Sequence, residues 1–486
     1  MFEKRNGSVR ESNSRVYAAI SLLVAVLLAG ACGTAVSPSG PESPSAGPTP
    51  FPPGNPDGAA PYLVRDIRPG ADSSMSDPYA GQFFSLHGRV LFDADDGVHG
   101  LELWETDGTA AGTRLLADIC PGPCSSNPNW FFPAGDEVLF QAQDPVHGQE
   151  LWKTDGTTAG THLVLDIRPG SDSGAPTMFA RLGDKILIEV LGPDYSKELW
   201  TTDGTAAGTR FVREISPSRA TPGEGPWLAA GGLVFFAVND GVVGNELWAT
   251  DGTAEGTRLV KDICPGPCNG VGILYGAVLD GLLYFSAQSR DGLSEIWRSD
   301  GTSRGTYSLA VPFPGFPRAA VSRDVLFFAA GETLGARELW KTDGSHRGTR
   351  RVSTISPSSL VDWRGRLFAA AAEPQYGQEP WATDGTTEGT VLLKDINPGT
   401  AHSSPSGFFA HGALLFFGAY EPSHGNELWQ TDGTTEGTRL VADIQAGPGS
   451  GLTAGFRRGF SFGDRIFFTA SDGLSGEELW AYRPLR

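Results

Sequence analysis

The chain has 486 residues, a net charge of −19 and only 19% charged residues, against 65 glycines and 35 prolines. That balance argues against a helical or disordered chain and fits a turn-dense all-β protein, with aromatic residues at 10% to fill a core. A surface of that sign repels phosphate backbones, which argues against nucleic acid as a partner.

The N-terminus reads as a leader. Lys4, Arg5, Arg10 and Arg15 precede an apolar stretch at residues 16–28, too short to span a bilayer comfortably. Ala29-Gly30-Ala31-Cys32 follows. Small residues before a cysteine resemble a bacterial lipobox, although Ala29 stands where leucine is usual. The same residues also satisfy an ordinary Ala-x-Ala cleavage site. Residues 33–61 are rich in Pro, Ser and Gly and almost uncharged, as a tether should be, and this favours the lipoprotein. The expected organisation is a signal peptide at 1–31, a linker at 32–61 that begins with a lipidated Cys32, and a folded part at 62–486. The protein is then exported and held at the outer membrane, in the periplasm or at the cell surface by its lipid alone, where disulfides are permitted.

From residue 62 onward the chain repeats. Glu-Leu-Trp and its variants place tryptophans at Trp104, Trp152, Trp200, Trp248, Trp297, Trp340, Trp381, Trp429 and Trp480, most about 48 residues apart. Eight of the nine are followed by Asp-Gly-Thr/Ser, two variable residues and Gly-Thr, as in 155–161 (DGTTAGT). These residues resemble those of the bacterial ELWxxDGT repeat proteins, also called hyalin-like, over roughly residues 62–482. The resemblance implies an exported, repetitive protein and carries over no activity and no catalytic residue.

Each repeat reads as four short strands; in the second these are 129–133 (NWFFP), 138–142 (VLFQA), 150–154 (ELWKT) and 162–167 (HLVLDI). Strands such as Val234-Phe235-Phe236 are apolar on both faces and must lie between two layers. Blades packed around an axis supply those layers, so the expected fold is a closed, nine-bladed β-propeller of four-stranded blades. A parallel β-helix is the alternative, but its coils are shorter and lack tight hairpins. The segment 62–67 (YLVRDI) is a fourth strand without a third, and 478–482 (ELWAY) a third without a fourth. Together they would complete the closing blade and leave no exposed edge. In the DGT segment Gly156 and Gly160 are expected at positive φ, with Asp155 and Thr157 bonding their own backbone. The same segment admits a bound calcium ion, but its recurrence in nearly every blade favours scaffold. The tryptophans are read as rings docked on the neighbouring blade.

In this strand order the second-to-third and fourth-to-first loops share one face, and the DGT hairpins occupy the other. The first face is the place to expect binding. Asp95, Asp96, His99, His147 and His424 lie in its loops; a cation site among them is the sharp reading, and solvated hairpins are the preferred one. No metal and no cofactor are assigned. Cys120 with Cys124 and Cys264 with Cys268 each flank Pro-Gly-Pro and read as two local disulfides. The functional expectation is a monomeric surface scaffold that binds a protein or glycan. The alternatives are an extracellular glycan hydrolase or lyase acting near the axis, and a purely structural envelope protein.

Overall fold

A computed structural model describes residues 60–484 except 76–82, 218–226, 267, 273–275, 289–291, 293, 313–318, 332–336 and 453–458. The expected leader, Cys32 and nearly all of the linker lie outside the described residues. The strands form nine antiparallel four-stranded sheets, eight of them with their strands in sequential order, and no helix occurs among the described residues. The chain is a nine-bladed β-propeller. Blade two shows the plan, with strands Asn129–Ala134, Glu137–Asp144, Gly148–Thr154 and His162–Leu165. The first strands of successive blades touch one another, which places them nearest the axis.

Blade nine is assembled from both ends of the chain. Gly459–Phe462, Arg465–Ala470 and Glu478–Tyr482 supply three strands, and Tyr62–Arg65 pairs antiparallel with the last of them, Leu63 opposite Trp480. The expected closure is therefore present.

The core consists of layers between blades, because a strand's side chains alternate between two neighbours. In blade one, Val90, Phe92 and Trp104 pack with Phe467 and Leu479 of blade nine. Leu91 and Leu103 pack the other way, with Phe140 and Trp152 of blade two. Each Glu-Leu-Trp thus sends its tryptophan to the preceding blade and its leucine to the following one. The pairing of third and fourth strands slips between that leucine and tryptophan in blades one, two, three, four, six and eight. Such bulges increase local twist, as a blade's outer edge requires.

Candidate functional site

The two faces of the ring are built differently. On the hairpin face, the repeated Asp-Gly-Thr segment is closed on itself. Asp155 Oδ1 accepts from the Thr157 N–H at 2.8 Å and the Thr157 hydroxyl at 2.7 Å, and the Gly160 N–H donates to Thr157 Oγ1 at 2.9 Å. The same bonds recur at Asp107, Asp203, Asp251, Asp300, Asp343, Asp384 and Asp432. Gly156 takes φ 86° as expected, but Gly160 is not among the residues of positive φ. The reason for that glycine is steric: a Cβ there would stand 2.0 Å from Asp155 Oδ1. A carboxylate used in this way is a structural cap.

The hairpins also lock blade to blade through cations, a feature missed in the sequence. A basic residue near the end of one fourth strand lies over the next blade's tryptophan and donates to the last Thr carbonyl of its hairpin. Arg65 lies 5.9 Å from the Trp104 ring and bonds Thr113; Arg213 lies 5.8 Å from Trp248 and bonds Thr257. Lys261 does the same with Trp297 and Thr306, and Lys394 with Trp429 and Thr438. The available signal was the Arg/Lys that precedes Asp/Glu-Ile in those fourth strands. A cleft of about 360 Å³ on this face of blade six is lined by Lys341, Asp343, Ser345, Arg347 and Arg350. Its Lys341 is engaged with the Gly385 carbonyl at 2.6 Å.

On the loop face, the glutamate of Glu-Leu-Trp is the organising residue, and sequence reasoning overlooked it. Glu102, Glu150, Glu246, Glu379, Glu427 and Glu478 are fully buried. Glu102 accepts from the N–H groups of Ile119, Cys120 and Ser126 and from the Ser126 hydroxyl. Glu478 likewise accepts from Ile67, Ser74 and the Ser74 hydroxyl. The fourth-to-first loop thereby wraps around one carboxylate, with donors seven residues apart. An Ile followed seven positions later by Ser or Gly was the readable signal. Burial pushes Glu102, Glu150, Glu427 and Glu478 up to about 7, against the downward pull of these hydrogen bonds.

The second-to-third hairpins of blades one, two, four, seven, eight and nine share a plan as well: an acid, two intervening positions with an exposed tip, one further residue and a glycine. His99 Nδ1 lies 2.8 Å from Asp96 Oδ2, and His147 Nδ1 lies 2.7 Å from Asp144 Oδ2. His424 pairs with Glu421 in the same way. Those carboxylates hold all three histidines above the usual imidazole range. Asp95 is engaged by Arg68 at 2.7 Å and by the Gly97 N–H. Asp96 and His99 are therefore paired with each other and Asp95 with Arg68, while His147 and His424 are each paired with the acid of their own hairpin in a different blade. Among the described residues no three His, Cys, Asp or Glu side chains gather as a metal would need.

The closing glycines fix the hairpins onto the neighbouring loops. A Cβ on Gly100 would stand 2.1 Å from the Cys124 carbonyl, and one on Gly244 would stand 2.0 Å from that of Cys268. Both cysteine pairs are bridged, with Cα–Cα separations of 5.4 and 5.7 Å, so the loops beneath these glycines are stiffened covalently. At the axis, the exposed residues of the first strands include Ser85, Pro133, Ala229, Ala410 and Ser461, with Arg181 and Asp362 as charged members. Arg181 donates to the Pro133 carbonyl.

No known family profile and no curated protein sequence matches this chain. Solved structures resemble it weakly. A puromycin hydrolase is 14% identical with a TM-score of 0.36, covering 71% of this chain and 58% of its own. A prolyl endopeptidase is 10% identical with a TM-score of 0.41, covering 78% and 51%. A puromycin-hydrolyzing peptidase of Mycobacterium tuberculosis is 13% identical with a TM-score of 0.36, covering 76% and 61%. The chain thus spans half to three-fifths of the proteins it resembles, and the fold is assigned from strand pairing alone.

Proposed function

We propose that this protein is an exported lipoprotein of the ELWxxDGT repeat type that serves as a propeller scaffold and binds a protein or glycan through its loop face. The observation that carries this reading is the contrast between faces. The hairpin face is spent on a near-identical self-closing turn in blade after blade. The loop face is held just as rigidly, by buried glutamates and glycine contacts, yet its tips differ: Val98, Val146, Tyr195, Val242, Gln375, Ser423 and Leu474. A rigid frame with varied tips is the arrangement that recognition uses. Tyr62 begins a fourth strand and so lies at the hairpin face, which lets a tether leave from that side and turn the loop face away from the membrane.

Two measurements test this. Metabolic labelling with a palmitate analogue should mark the protein, and Cys32→Ala should lose the label and pass into the soluble fraction. In addition, the mature chain should bind members of a panel of envelope glycans and peptides. A bulky polyethylene glycol attached at Ser423→Cys or Val146→Cys should block that binding, whereas the same group at Thr253→Cys on the hairpin face should not. Blocking from the hairpin face, or membrane retention of Cys32→Ala, would refute the reading.

A further inference from the structure

The exposed tips of the loop face are not distributed evenly. Leu474 in blade nine, Val98 in blade one, Val146 in blade two, Tyr195 in blade three and Val242 in blade four are 77%, 62%, 64%, 54% and 75% exposed. These are five consecutive blades. In blades seven and eight the equivalent tips are Gln375 and Ser423, both polar. Among the described residues, one arc of the face therefore presents apolar knobs in five consecutive blades, whereas the adjoining blades seven and eight carry polar tips, with Tyr420 of blade eight 40% exposed beside its hairpin.

The knobs are held outward by design of the hairpin. Asp96 Oδ1 accepts from the N–H groups of Val98 and His99, each at 2.9 Å. Asp144 does the same for Val146 and His147, Asp240 for Val242 and Val243, and Asp472 for Leu474 and Ser475. Val98, Val146, Val242 and Leu474 thus each stand in a turn capped by a carboxylate, while the Tyr195 N–H donates to the Gly192 carbonyl instead. An isolated exposed apolar residue needs no explanation, but apolar tips repeated at the same hairpin position over five consecutive blades point to an interaction surface.

Charge identifies the occupant. The four acids and four bases of residues 1–61 cancel, so the propeller itself carries the whole net charge of −19. Among the described residues of this face, Arg68 is engaged with Asp95 and Asp72 and Arg168 with Glu198. A second copy of so acidic a chain would be repelled, and so would an anionic lipid surface. A partner with apolar sockets rimmed by lysine or arginine meets both features at once. We infer that the arc from blade nine to blade four docks a cationic protein, its apolar sockets seated on Leu474, Val98, Val146, Tyr195 and Val242. This rests on the scaffold reading above and names the partner class and the sector.

The test uses two fluorescein-labelled peptides of equal charge, one alternating Lys and Leu and one alternating Lys and Ser, with binding to the mature chain read by anisotropy. The Lys/Leu peptide should bind at least about tenfold more tightly than the Lys/Ser peptide, and its affinity should fall with added salt. The variant Val98→Ser/Val146→Ser/Val242→Ser/Leu474→Ser should lose that advantage with its melting temperature kept. Val391→Ser, an exposed apolar residue on a fourth strand, should change nothing. Equal affinity for both peptides, no binding of either, or an undiminished advantage in the fourfold variant would overturn the inference. So would a dimer, seen by sedimentation, or vesicle binding that the fourfold variant abolishes, since a second copy or lipid would then occupy the arc. A glycan or peptide captured through blades seven and eight would also overturn it while leaving the scaffold reading intact.

Discussion

Arg465 Nη1 donates to the Tyr62 hydroxyl across 2.9 Å, joining residues 403 positions apart. The same Nη1 and the same hydroxyl both donate to the Gly108 carbonyl, each at 3.1 Å. One buried guanidinium therefore ties the N-terminal strand to the C-terminal sheet and to the first blade. Arg465 is only 1% exposed. Removing it leaves a buried carbonyl and hydroxyl short of partners, so Arg465→Met should lower stability by about 1–3 kcal/mol, read by chemical denaturation. Deleting residues 62–67 should do more, opening a sheet edge that aggregates. A monomeric deletion variant with an unchanged melting temperature would show that closure does not stabilise the ring.

The tryptophans should divide by burial. Trp248 is 7% exposed and packed with Leu187, Leu199 and Phe236, so Trp248→Ala should cost about 3–5 kcal/mol. Trp429, 4% exposed, should behave alike. Trp200 is only half-buried and its indole N–H donates to Glu198 at 2.8 Å, so Trp200→Ala should cost clearly less. Equal losses at all three positions would mean that depth in the inter-blade layer is not what sets the cost.

Stability should peak in mild acid. Glu102, Glu150, Glu427 and Glu478 hold their protons up to about 7 when folded and near 4.5 when unfolded, so between those values the folded state binds more protons and stability falls as pH rises. His99 and His147 act in the same direction. Raised by the hydrogen bonds they donate to their aspartates, they stabilise fully below about 6.5 and lose that contribution as pH climbs through their folded values. Asp155, Asp251 and Asp432 are held low chiefly by threonine hydroxyls; their contribution is present above about 3.8 and lost as pH falls. The melting temperature should therefore be highest near about pH 5 and drop on both sides. Glu427→Gln should lower the peak and shrink the fall toward alkaline pH. A flat profile from pH 5 to 8 would mean that the six carboxylates stay ionised under their donors.

The hairpin glycines make a sharper test of the turn. In Gly256→Ala the new Cβ would stand 1.9 Å from Asp251 Oδ1, so this surface substitution should cost about 2 kcal/mol or more. Gly272→Ala, with no atom within 4 Å of the new Cβ, should stay within about 0.5 kcal/mol. If the two behave alike, the aspartate cap is not rigid.

The bridges are local, so their effect should be modest. Each double Cys→Ser variant, at 120 and 124 or at 264 and 268, should lose about 2 kcal/mol at most, because so short a loop gives up little chain entropy when opened. Mass spectrometry of the folded chain, alkylated before and after reduction, should reveal four protected thiols in residues 62–486. Alkylation of any of them without reductant would contradict the pairing.

What the amino-acid sequence determined by itself was everything periodic. Nine tryptophans at near-constant spacing, strands apolar on both faces, and incomplete repeats at the two ends leave a ring as the arrangement that buries both faces and pairs both edges. The Asp-Gly-Thr turn was legible for the same reason, since its bonds span only a few residues. Only the tertiary structure decided what depends on juxtaposition between repeats. Gly160 reads as a conformational glycine until Asp155 is seen against it. Arg65 reads as a surface charge until Trp104 and Thr113 of the next blade lie beneath it. Glu102 reads as the polar companion of a tryptophan until a loop seventeen residues on is found wrapped around its carboxylate. The histidines of blades one, two and eight look like a set in one dimension, but each is consumed by the acid three residues before it. The arc of exposed tips exists only because blade nine, made from both ends of the chain, sits beside blade one. Local turns and burial periodicity are encoded within a repeat; contacts between blades depend on how the ring closes, which no single repeat contains.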